Sequence, residues 1–201
     1  VAVGMEQLQA VRLEGLKEDT AYYYRVETVD DRGRALLGDV LSFQTAPSKD
    51  QPFAFAIISD TQGNPKVSGK MANFAWGLRP NFLLHPGDLV DTGSVKSQWL
   101  NDFFLSMKPL LERVALFPVL GNHEQDARFY YDYMSLPAPE YYYTFDYANA
   151  QFFMIDSNRE VGPGSEQFQF LERELKKSTA QWKIVCYHHP AYSSDENDYG
   201  N

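Results

Sequence analysis

The sequence predicts an α/β fold, a mixed sheet with flanking helices, preceded by a short all-β segment. Three observations carry that reading. From Phe53 onward, apolar runs of strand length alternate with stretches of helical spacing, which is the pattern of an α/β sheet. Those runs are nearly continuous rather than alternating, as strands covered on both faces are. Residues 1–47 show period-two alternation instead, with no helical stretch.

Taken in order, Val11 and Leu13 alternate with polar neighbours, Tyr22, Tyr24 and Val26 do so again, and Leu41 and Phe43 form a third run. Asp30-Asp31-Arg32-Gly33 reads as a turn between two of them. The stretch from Leu16 to Val26 resembles the E-to-F corner of a fibronectin type III domain, in which Tyr22 would bond back to the chain a few residues upstream. Three strand runs are fewer than a complete sandwich needs, so the beginning of this β segment is expected to lie outside the chain. Residues 48–52 read as a linker. Strands are then expected at residues 53–58, 82–84, 114–120, 152–155 and 184–187, and helices at 67–78, 96–111 and 166–177. Phe168, Leu171 and Leu175 lie on one stripe of the last helix. Residues 141–145 and 151–155 read as an antiparallel hairpin, which makes the sheet mixed.

Composition narrows the function classes. The 201 residues are 44% hydrophobic, ordinary for a globular chain. A net charge of -9 argues against a nucleic-acid-binding surface, which needs clustered Lys and Arg. The single cysteine, Cys186, sits in an apolar run and reads as a core residue. No apolar segment has the length of a membrane span, and no signal segment opens the chain.

The chemistry lies in polar loops that follow the strand runs. Ser59-Asp60-Thr61-Gln62, Gly87-Asp88-Leu89-Val90-Asp91, Gly121-Asn122-His123-Glu124 and His188-His189-Pro190 each occupy such a place. Ligand sites in open α/β sheets lie beyond the carboxyl ends of the strands. Asp60 and Asp88 are hard oxygen ligands, and a carboxylate can bridge two cations held about 3.5–4 Å apart. Asn122 offers a carbonyl oxygen and His188 an imidazole. Glycines 87 and 121 allow sharp backbone turns. A helix cap would explain Asn122 but gives no reason for His123 and Glu124. His85 reads as structural, satisfied by backbone near the site, and His189 as a neighbour rather than a ligand.

In this order the loops look like the signature loops of the calcineurin-like metallophosphoesterase superfamily, over Phe53 to the end of the chain. With a fibronectin-like segment in front, the arrangement is similar to purple acid phosphatases and their bacterial relatives. The resemblance implies that Asp60 binds a first metal, Asp88 bridges both, Asn122 and His188 bind the second, and Gln62 stands at a first-metal position where many members have histidine. It implies two metal ions, from iron, manganese or zinc. His123 would face the substrate as a catalytic imidazole, Asp91 would orient it through its carboxylate, and Glu124 would support the loop. The implied activity is hydrolysis of small-molecule phosphate esters, of the acid phosphatase kind. A phosphodiesterase or nucleotide-cleaving enzyme, with Tyr130, Tyr131, Tyr133 and Tyr141 to Tyr143 stacking on a base, and a non-catalytic binding protein are the alternatives. An extracellular or periplasmic location follows from the same resemblance.

Three departures refine it. Asp91 stands where purple acid phosphatases place the tyrosine that colours them, so no purple band is expected. Gln62 is a neutral, weaker ligand than histidine. The family's closing Gly-His-x-His loop does not occur, because the four histidines are His85, His123, His188 and His189. The chain is therefore expected to be part of a longer protein and, alone, to bind metals poorly and to be inactive.

Overall fold

The computed structural model describes residues 8–192; the start of the expected β segment, 1–7, and the end of the expected α/β region, 193–201, lie outside the described residues. Strand β1 (Ala21–Tyr24) pairs antiparallel with β4 (Leu41–Gln44), with Ala21 opposite Gln44. Between them β2 (Glu27–Val29) and β3 (Ala35–Leu37) form a separate hairpin. Its turn is the expected Asp30 turn: Asp30 Oδ1 accepts the N–H groups of Arg32 at 2.9 Å and Arg34 at 2.8 Å. The sequence pattern does not reveal the two arms, because both are exposed on each face and carry no burial alternation. The strand expected at Val11 and Leu13 does not form among the described residues. No described strand edge pairs with them; they line an open cavity of about 840 Å³ with Tyr24, Phe43 and Leu111. The Tyr22 hydroxyl accepts the Lys17 N–H at 2.8 Å, and its ring stacks on Phe43. Tyr24 donates its hydroxyl proton to the Glu112 carbonyl at 2.6 Å, tying this segment to the α/β region.

From Phe53 the chain builds two three-stranded sheets. The first is parallel, in the order β5 (Phe55–Ile57), β6 (Phe82–His85), β7 (Ala115–Pro118). Helix α1 (Pro65–Gly77) makes the first crossover; Asn64 caps it by accepting the Val67 N–H, and Pro65 occupies the first turn. The second crossover is the expected helix at 96–111, resolved into α2 (Lys96–Gln98), a π-helical stretch Trp99–Phe104 and α3 (Leu105–Leu111). The second sheet has the order β10-β9-β8, with β8 (Tyr143–Tyr147) antiparallel and β10 (Trp182–Cys186) parallel to β9 (Ala150–Met154). The mixed pairing is thus confined to this sheet. Helix α4 (Arg128–Tyr133), which the sequence pattern does not announce, follows β7, and α5 (Glu166–Lys177) links β9 to β10.

The sheets stack through aromatic rings rather than merging by hydrogen bonds. Strand β6 is buried along its length, and its alternation sends successive residues to different cores. Leu83 packs with Trp99, Phe103 and Met107 on the helix side. Phe82 and Leu84 pack with Phe152 and Met154 of the second sheet. Phe82 meets Phe152 edge-on at 5.3 Å, and Phe117 stacks on Phe145. Tyr130 and Tyr143 are core residues whose hydroxyls both donate to the Pro118 carbonyl, which removes them from any base-stacking role. On α5 the inward face is turned one position from the expected stripe: Gln167 and Phe170 are buried and Phe168 is exposed. Packing of Phe170 on Tyr142 at 4.7 Å and the bonds of Gln167 to the backbone at Asp156 set that rotation.

Candidate metal centre

Parallel pairing delivers every polar loop to one end of the molecule. The first-sheet ladder continues past its strands, with Ile58 N–H bonded to Leu84 O, Asp60 N–H to Gly87 O at 3.2 Å and Thr61 N–H to Asp88 O at 3.0 Å. Asp60 and Asp88 therefore lie side by side. Both adopt left-handed backbone, φ 56° and 57°, a conformation that aspartate tolerates better than most residues and that is common at functional sites. In the second sheet, Ile155 N–H bonds Cys186 O and brings the His188 loop to the same end.

Ligand atoms of Asp60, Asp88 and His188 lie within 4.8 Å of one another, the group of this kind found among the described residues. Asn122 joins it: its Oδ1 is 3.1 Å from His188 Nε2. The Gln62 amide donates to Asp88 Oδ2 at 3.2 Å, while Gln62 Oε1 is buried with no hydrogen-bond partner. His123 N–H donates to Asp88 Oδ1 at 3.0 Å, and its Nε2 is 3.9 Å from Asp88 Oδ2. All of the expected ligand residues thus converge.

The expected role of Asp91 needs a correction. Its backbone carbonyl, not its carboxylate, holds His123 Nδ1, at 2.7 Å. The carboxylate is 3.6 Å away and 57% exposed. A carbonyl accepts only, so Nδ1 carries the proton and Nε2 faces the site. His85 needs another: it is fully buried, and Thr61 Oγ1 at 3.1 Å, not backbone, is its partner. Thr61 Oγ1 donates to Leu89 O, which leaves it accepting from His85 Nε2–H. Burial, the largest influence, drives His85 down to about 3, so the ring stays neutral.

Two residues hold the loops rigid. Glu124, fully buried, accepts the N–H groups of Leu89 at 2.7 Å, Gly121 at 2.7 Å, Asp88 at 2.9 Å and Val90 at 3.3 Å. It staples the Gly87 and Gly121 loops together. Burial pushes its carboxyl up, and the N–H bonds from Gly121, Val90 and Asp88 oppose that push. Gly121 is needed for close approach: a Cβ there would run into the Asp88 carboxylate and N–H. At Gly87 the backbone is left-handed, φ +96°, and a Cβ would stand 2.7 Å from His188 Nδ1.

Charge and protonation fit a cation. His188 Nδ1 is 2.7 Å from the Pro86 carbonyl, so Nδ1 keeps its proton and Nε2 is the atom offered to the site, as in most metal-binding histidines. Burial lowers the His188 pKa, but Asp88 and the Pro86 carbonyl outweigh it and lift the ring to about 9. Burial likewise raises Asp88, and His188 and the His123 N–H override it, keeping the carboxylate below its usual range. A cation must take the Nε2 lone pair, so below about pH 9 its binding displaces a proton. Cation affinity at the His188 position is expected to fall as pH drops from 9 to 7, by up to tenfold per pH unit, with proton release rising towards one. Titration calorimetry in buffers of different ionisation enthalpy measures both; pH-independent affinity over that range would refute it.

The family model described as calcineurin-like phosphoesterase matches residues 53–201, the region that carries all of these loops. The chain belongs to that family. Among curated relatives, this calcineurin-like phosphoesterase chain is 28% identical over 212 residues to probable purple acid phosphatase 20 of Arabidopsis thaliana, covering 96% of this chain and 48% of the relative. Purple acid phosphatase 22 of the same plant is 27% identical, covering 94% and 45%. The chain spans about half the length of the curated relatives it matches. Probable inactive purple acid phosphatase 27 of Arabidopsis thaliana is 25% identical over a shorter stretch, 60% of this chain and 23% of the relative. The solved structure of purple acid phosphatase PPD1 from yellow lupin (Lupinus luteus) seeds aligns with TM-score 0.77 at 18% identity, covering 90% of this chain and 38% of that one. At that identity it establishes the fold. The family uses metal ions, and the donors present suit one: two carboxylates, an imidazole with its remote nitrogen anchored, and two side-chain amides, of which Gln62 has its oxygen buried without a hydrogen-bond partner.

One further loop at this end of the molecule was not singled out from the sequence. Asp156-Ser157-Asn158-Arg159 also follows an apolar strand run, the same signal that marked the other loops. Asn158 Nδ2 donates to the carbonyls of Leu120 and Gly121, each at 3.2 Å. No helix in the described residues is long and apolar enough to cross a membrane.

Proposed function

We propose that the full-length protein hydrolyses phosphate monoesters at a dinuclear metal centre, as acid phosphatases do. The observation that carries this reading is the convergence of Asp60, Asp88 and His188 from three different strand ends. Asp60 and Gln62 would hold the first cation and Asn122 and His188 the second, with Asp88 between them as a shared carboxylate. Iron, manganese or zinc would suit this oxygen-rich set with one imidazole. The chemistry such cations would supply is Lewis acidity, towards water and towards the charge of an in-line transition state.

The chain's own groups do the rest. His123, its Nδ1–H fixed on the Asp91 carbonyl, turns Nε2 to the open side of Asp88. From there it donates a hydrogen bond to a phosphoryl oxygen or a proton to the departing alkoxide when protonated. Glu124 and Gly121 keep Asp88 from moving as charge develops. We read residues 1–47 as part of a fibronectin III-like sandwich, supported by the Tyr22 hydroxyl bond to Lys17 N–H. An extracellular or periplasmic location accords with the purple acid phosphatase relatives.

The test is an assay of the full-length protein loaded with manganese, zinc or iron on an aryl phosphate, a phosphodiester and a nucleoside monophosphate. The aryl monoester should be cleaved fastest. His123→Ala should lower turnover by about 10²–10⁴-fold, the usual span for a lost acid–base group, and Asp88→Ala by at least as much. The iron-loaded sample should show no tyrosinate charge-transfer colour, since Asp91 occupies the tyrosine position. No hydrolysis above the metal-free control would sink the assignment, and a diester preference would move it to the phosphodiesterase reading.

A further inference from the structure

We propose that the Asp156-Ser157-Asn158-Arg159 turn is a positioning device that sets the spacing between the loops carrying Asn122 and His188. Those loops come from different sheets, β7 in the first and β10 in the second, and among the described residues no strand pairing joins the two sheets. The Tyr143 hydroxyl on the Pro118 carbonyl and His188 Nδ1 on the Pro86 carbonyl also link the two sheets, and the turn adds a polar bridge that reaches both ligand loops at once.

On one side, Asn158 Nδ2 donates to the Leu120 and Gly121 carbonyls, the residues just before Asn122. On the other, Ser157 Oγ accepts the His189 N–H at 3.0 Å and lies 2.9 Å from His189 Nδ1. Ser157 thus holds both the backbone and the ring of the residue next to His188. The turn is itself immobilised. Asp156, 1% exposed, accepts from Asn158 N–H at 2.9 Å, Asn158 Nδ2 at 2.7 Å and Arg159 Nε at 2.9 Å. Buried Gln167 of α5 clasps the Asp156 backbone from both sides, N–H to Oε1 at 2.9 Å and Nε2 to carbonyl at 2.8 Å. Arg159 reaches on to Asp126 at 2.8 Å, past the end of the Asn122 loop. Where the two loops meet, Asn122 Oδ1 and His188 Nε2 are 3.1 Å apart.

This proposal rests on the reading of Asn122 and His188 as ligands of a shared cation, and its test has an arm that does not need the metal. In metal-free protein, hydrogen exchange is followed by segment for wild type, Ser157→Ala, Ser157→Thr and Asn158→Ala, with Asn158→Ser replacing the last if it does not fold. Asn158→Ala should speed exchange around residues 120–124, and Ser157→Ala around 187–190, while Ser157→Thr keeps the wild-type pattern. In zinc titrations both alanine variants should lose about 10–100-fold in affinity, the usual effect of removing a partner behind a ligand. Unchanged exchange in both variants, or acceleration spread evenly over the chain, would overturn the positioning role. Localised exchange changes in a wild-type protein that binds no zinc would leave the positioning role standing and defeat the dinuclear reading.

Discussion

Glu124→Gln is expected to cost about 3–5 kcal/mol of folding free energy, a large part of what a domain of this size has. The carboxylate has two oxygens and accepts four backbone N–H groups, from Asp88, Leu89, Val90 and Gly121. An amide keeps one oxygen and replaces the other with a donor. Whichever way it is turned, its NH₂ group faces buried N–H groups that lose their acceptor, at about 1–3 kcal/mol each. Nothing nearby compensates, because the residue is fully buried. Urea unfolding measures the change as a lower midpoint at unchanged slope. A loss below about 1 kcal/mol, within the range of an ordinary net hydrogen bond, would mean that the four contacts do not act together.

Gly121→Ala should leave a folded protein with a damaged centre. The added methyl would collide with the Asp88 carboxylate and its N–H. That backbone is also held by Glu124, so the Asp88 side chain must give way. Overpacking of this kind costs about 1–3 kcal/mol in stability. The larger effect falls on ligand geometry, where disturbing the support of a ligand costs about 10–100-fold in metal affinity. Calorimetric titration with zinc or manganese should show a loss in that range relative to wild type. Wild-type affinity in the variant would show that the close approach of the two loops is not what places Asp88.

Much of the candidate site was legible in the amino-acid sequence. Asp60, Asp88, Asn122, His123 and His188 stand in polar loops behind apolar runs, and parallel pairing must carry such loops to one end of the sheet. The Asp30 turn and the helix at 166–177 were readable for the same local reasons, an Asx turn and an i, i+4 spacing. Other features were hidden. Strands β2 and β3 are exposed on both faces, so no alternation announces them. The Ser157 and Asn158 contacts span 32 to 38 residues of sequence, a range at which no spacing rule operates. Asp91 was placed correctly beside His123, but whether carbonyl or carboxylate makes the bond depends on a backbone orientation that no residue type specifies.

The sequence by itself determined which side chains reach the carboxyl ends of the strands, because hydrophobic patterning sets the strands and chain order sets the loops. Only the tertiary structure decided that two stacked sheets, not one continuous sheet, carry those loops. The reason is physical: the faces of β6 and β9 bury aromatic rings against each other, and a stacked interface imposes no hydrogen-bond register. Register between the sheets is left to the Tyr143 bond to Pro118, the His188 bond to Pro86 and the Asp156–Arg159 turn.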